Sequence, residues 1–125
     1  MSKSVFKRFK YAFQGLKLVA VHEMSFRIQI VGAIVVVIIM IALPLATWER
    51  VLLILMTSAV LVLEIMNSIF ERISDALKPR LSPVVRDIKD MMAGAVLLTA
   101  ITAAIVAVMI LWSYVEEIIN QGILF

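Results

Sequence analysis

Three apolar stretches constrain this chain more than any other feature, because each approaches the roughly 20 residues a helix needs to cross the hydrocarbon of a bilayer. The first runs from about Ile28 to Ala46, the second from about Val51 to Phe70 and the third from about Met91 to Val115. Hydrophobic residues fill 63% of the 125 positions and the mean hydropathy is +1.07. A soluble domain keeps that fraction near half, so the expected fold is all-α and integral to a membrane. The length leaves room for one domain, residues 1–125, with no internal repeat and no low-complexity segment.

Composition removes several chemistries. Cysteine is absent, which excludes disulfides and thiolate metal sites. His22 is the single histidine, which argues against a His-rich zinc site and a Ser/His triad. Lys3, Lys7, Arg8 and Lys10 lie along an amphipathic stretch with no short apolar core and cleavage site after it, so no signal peptide is expected.

Charge sets the expected orientation. Of the twelve basic residues, Lys3, Lys7, Arg8, Lys10, Lys17 and Arg27 precede the first span. Arg72, Lys78, Arg80, Arg86 and Lys89 lie between the second and third, and Arg50 alone falls on the other side. The positive-inside rule then predicts a cytoplasmic N-terminus and 71–90 link, with the C-terminus outside. Thr47-Trp48-Glu49-Arg50, following Pro44, reads as a tight hairpin with Trp48 at the interface. Pro79 and Pro83 forbid one continuous helix through the 71–90 link. Phe6, Phe9, Phe13, Leu16 and Ala20 recur at helical spacing, with Lys3, Lys7, Lys10, Gln14 and Lys17 around them. This predicts an amphipathic helix over about 3–26 in the cytoplasmic interface, either a plain anchor or part of a site.

Within the second span stands a polar cluster. Glu64, Asn67, Glu71 and Asp75 fall inside an arc of about 80° on a helix, forming one stripe that begins in the membrane and emerges on the cytoplasmic side. Glu23 before the first span and Lys89-Asp90 before the third belong to the same surface. Ionisable groups at such depth mark functional sites by default. Magnesium takes one or two carboxylates together with substrate phosphates. Phosphoryl transfer further needs a cation on the phosphates and a base for the accepting hydroxyl. Glu64, the deepest, suits the base and a hydroxyl at the head of a lipid. Glu23 and Glu71 suit the metal, and Lys89 the phosphates. Two other readings fit the same residues: hydrogen bonding between helices of a non-enzymatic assembly, and an ion-conducting path, for which the outer halves of the spans supply no acid or base.

The spacing Glu-x-x-Asn-Ser-x-x-Glu with an Asp four residues on, here Glu64, Asn67, Ser68, Glu71 and Asp75, resembles the prokaryotic diacylglycerol kinase family, which includes undecaprenol kinases. Lys89-Asp90 with Ala93-Gly94-Ala95-Val96, Phe9 to Lys17, and Glu23 followed by Ser25-Phe26-Arg27 extend the likeness over nearly the whole chain. The resemblance implies a homotrimer in the bacterial inner membrane, with active sites between subunits. It implies transfer of the γ-phosphate of MgATP to a lipid alcohol, diacylglycerol or undecaprenol, and no nucleic-acid partner. It makes Glu64 the general base, Asn67 a positioning residue, and Glu23 and Glu71 the ligands of the metal on the ATP phosphates. Tyr11, Lys89 and Asp90 become nucleotide contacts, and the surface helix a wall of the site. Ala93, a serine in many diacylglycerol kinases, becomes a substrate contact, and Asp75 a supporting residue. The chain departs from the family at Ile69-Phe70, at Ser74, and at Ser4, where many members carry an arginine. The Phe26-Arg27 stretch and the run from Lys89 to Val96 look slightly more like undecaprenol kinases.

Overall fold

The computed structural model describes residues 2–77 and 82–122, with side chains described from Ser4 onward. Four helices follow in chain order: α1 (Ser2–His22), α2 (Met24–Ala42), α3 (Thr47–Ala76) and α4 (Pro83–Asn120). The described residues contain no strand. The last three helices are each long and apolar enough to cross a membrane. Lys78, Pro79 and Arg80 of the expected charged link lie outside the described residues.

Helix boundaries differ from the sequence reading for physical reasons. The first helix ends at His22 rather than continuing to about residue 26. Arg27, one turn into α2, donates from Nη1 to the carbonyls of Ala20 (2.9 Å) and Val21 (2.8 Å). Those are carbonyls left open at the end of α1, and a guanidinium there also opposes the negative end of the helix dipole. Glu23 is the single residue between the two helices, in extended conformation at φ −115°, ψ 111°. Its N–H still bonds the Val19 carbonyl at 2.8 Å and its carbonyl accepts from Arg27 N–H at 3.3 Å. The joint therefore breaks the helix while losing little hydrogen bonding.

The link between α2 and α3 is also displaced. Thr47 to Arg50 form the first turn of α3 rather than a hairpin, and the non-helical residues are Leu43 to Ala46. Pro44 has no N–H to donate and restricts the residue before it, so α2 stops there. Glu49 folds back to accept from the Ala46 N–H at 2.9 Å, closing the start of α3. At the other end of the bundle Ser82 caps α4 by accepting from Val85 N–H at 3.4 Å, with Pro83 in the first helical position.

Helices α3 and α4 outrun their apolar stretches. At 30 residues α3 is about 45 Å long, against about 30 Å of hydrocarbon. Its apolar length marks the membrane, not the helix end. A buried apolar cluster lies toward the α2–α3 link, where Leu45, Leu53 and Ile110 pack with Val36, Met40, Leu111 and Tyr114. Glu49, only 7% exposed, is held there by the Tyr114 hydroxyl, which donates to its Oε1. The α2–α3 end of the bundle thus holds one buried acid, Glu49, just before the second apolar stretch begins. Val19, Phe26 and Val60 are buried as well, while many other large apolar side chains on α2, α3 and α4 face outward, as lipid or neighbouring helices require.

Candidate active site

The polar stripe of α3 forms as its spacing dictates, and exposure rises along it. Glu64 is buried at 6% exposure, Asn67 and Glu71 are half-buried, and the Asp75 side chain is 71% exposed. The stripe thus runs from the packed bundle to its open end. Ser68, beside it, returns its hydroxyl to the Glu64 carbonyl at 3.2 Å.

Each flanking span contributes to this stripe. From the first turn of α2, Ser25 Oγ donates to Glu64 Oε2 at 3.3 Å. That bond brings the head of α2, and Glu23 two residues before it, against the deepest carboxylate. Glu23 precedes α2 in the capping position, yet its carboxylate makes no capping bond, which leaves it available to a ligand. Within α3, Asn67 Nδ2 donates to Glu71 Oε1 at 3.4 Å, fixing one oxygen of that carboxylate. From α4, Lys89 Nζ reaches Asp75 Oδ1 at 3.5 Å. Lys89 is therefore tied to the stripe rather than to its neighbour Asp90, as a simple pair at a helix start would have it. Asp75 is thus paired while its side chain stays largely in solvent.

The remaining expected residues are placed less closely. Tyr11 is 64% exposed on α1. Beside it, Ala12, Leu16 and Val19 of α1 face Ile65, Ser68 and Arg72 of α3 across a cavity of about 280 Å³. Helix α1 thus lies across that cavity from the turns of α3 that carry Asn67 and Glu71. Asp90 and Ala93 are exposed on α4, and the hydrogen bond from α4 to the stripe is made by Lys89 rather than Asp90. The described residues hold no group of three or more His, Asp, Glu or Cys side chains able to enclose a metal. A cation that arrives on phosphates needs only one or two carboxylates from the protein, since magnesium keeps most of its ligands from substrate and water. Ser25 and Arg27 carry more of the geometry than their sequence positions suggest. The only advance signal was their place just after Glu23.

A membrane-spanning helical bundle whose carboxylates, amide and lysine gather at one end of a helix is built for chemistry at a membrane surface. The prokaryotic diacylglycerol kinase family pattern matches residues 10–111. The diacylglycerol kinase of Escherichia coli K12 is 32% identical over 110 residues, covering 88% of this chain and 90% of that protein. That of Shigella flexneri matches to the same extent. The chain belongs to the prokaryotic diacylglycerol kinase family and is a lipid kinase.

Proposed function

We propose that the protein transfers the γ-phosphoryl group of MgATP to the hydroxyl of diacylglycerol, giving phosphatidic acid and ADP. The observation that carries this reading is the α3 stripe of Glu64, Asn67, Glu71 and Asp75, to which α2 is bonded through Ser25–Glu64 and α4 through Lys89–Asp75. In the forward step the acceptor oxygen bonds to the γ-phosphorus as the bond from that phosphorus to the β–γ bridging oxygen breaks. Glu64 takes the hydroxyl proton, and ADP leaves. Its burial matches a hydroxyl held at the level of lipid head groups. Glu23 and Glu71 would hold magnesium, whose contribution is to neutralise charge on the phosphates. Asn67 steadies Glu71, and Lys89 reaches the phosphate chain once it exchanges Asp75 for the nucleotide. Asp90 and Tyr11 contact the nucleotide from α4 and α1, and Ala93 borders the acceptor.

In this reading α1 lies in the cytoplasmic interface of the bacterial inner membrane, with the C-terminus outside, and the working unit is a homotrimer. A shared site accounts for the small number of metal-ligating groups that one chain brings together among its described residues. The test is ATP consumption by purified protein in mixed micelles, with diacylglycerol and undecaprenol supplied in turn. Turnover with diacylglycerol is the expected result. Turnover with undecaprenol alone would move the assignment to that acceptor, and none with either would overturn the kinase reading.

A further inference from the structure

Glu64 is a long side chain with three rotatable torsions, and a base must point one oxygen at its proton. Among the described residues the only ion pair is Lys89–Asp75, so no cation holds Glu64. Arg27, the nearest cation along α2, is committed to the carbonyls of Ala20 and Val21. The side-chain bond that Glu64 does make is the one from Ser25 Oγ to Oε2, at 3.3 Å. No fully buried side-chain oxygen or nitrogen among the described residues lacks a partner. The other oxygen, Oε1, has no donor and therefore keeps access to the surface.

We infer that Ser25 is the positioning residue of the catalytic base: by holding Oε2 it turns Oε1 of Glu64 toward the acceptor hydroxyl. The inference rests on the reading of Glu64 as the base and adds the group that orients it. It also gives the head of α2 two tasks within three residues, the metal through Glu23 and the base through Ser25. The hydroxyl donates one hydrogen bond and no chemistry of its own, so its loss leaves the nucleotide site intact and makes the carboxylate search among rotamers. Turnover falls while binding does not.

Ser25→Ala is expected to lower kcat about tenfold, the usual worth of a hydrogen bond to a charged group, with KM for MgATP unchanged. Ser25→Thr, which keeps a hydroxyl at the same position, restores most of the rate. In a Glu64→Gln background, Ser25→Ala produces no further loss, because the group it positions is gone. Wild-type kcat in Ser25→Ala, failure of Ser25→Thr to recover, or full additivity with Glu64→Gln would each overturn the inference. Near-normal turnover in Glu64→Gln alone would instead overturn the base assignment, so the two failures are told apart.

Discussion

Glu64 and Glu71 lie on one helix two turns apart, and their surroundings assign them different work. Glu64 is buried and bonded through one oxygen to Ser25; Glu71 is half-buried and bonded through one oxygen to Asn67. Glu64→Gln keeps the shape and removes the proton acceptor. It is expected to lower kcat at least about a hundredfold, in line with the loss of a general base, in a lipid-dependent ATPase assay. Glu71→Gln is expected to raise the magnesium concentration needed for half-maximal rate, measured at fixed ATP. An unchanged magnesium requirement would argue against a ligand role. Lys89 pairs with an Asp75 side chain that is 71% exposed, and such a pair contributes less than about 1 kcal/mol to stability. Lys89→Ala should accordingly raise KM for ATP while leaving the melting temperature near its original value.

At the scale of elements, the joint between α1 and α2 is the feature periodicity could not reveal. The stripe Glu64, Asn67, Glu71, Asp75 was legible because 3.6 residues per turn fixes which side chains share a face. The three spans were legible because hydrocarbon demands apolar length. The end of α1 was not, since neither Gly nor Pro marks it. The stop is made by Arg27 reaching back six and seven residues to Val21 and Ala20. Ser25 escaped for the same reason, as its partner lies 39 residues away on another helix. The local sequence places Glu49 in a hairpin and says nothing of its burial, because its partner, Tyr114, is 65 residues distant. Arg27→Ala should loosen the end of α1 by about 1 kcal/mol, seen as roughly fivefold faster amide exchange over residues 20–24. Exchange unchanged there would show that the guanidinium does not hold the joint. Tyr114→Phe should lower the melting temperature in detergent, and lower it less in a Glu49→Gln background, because the two groups share one bond.

For the molecule as a whole, the distribution of charge separates catalysis from conduction. No ionisable side chain lies on α3 between Arg50 and Glu64, a gap of about 21 Å of helix. A relay of protons or cations would need a group within it. Protein reconstituted in vesicles is therefore expected to leave an imposed pH gradient intact, as read by an entrapped dye; rapid collapse of the gradient would favour the conducting assembly. The trimer is tested by the mass of the protein–detergent particle, and full activity in a monomeric fraction would exclude sites shared between copies.

The buried core around Leu45, Leu53 and Ile110, together with the Glu49–Tyr114 bond, fastens the bundle at the end opposite the polar stripe. Heat should therefore act on the two ends in sequence. The helices stay wound while the end that carries the exposed Lys89–Asp75 pair drifts apart, and the kinase falls silent several degrees before circular dichroism records any melting, as local opening precedes global unfolding. A stored preparation can keep its full helical spectrum after its turnover has gone, and only an assay reveals its age.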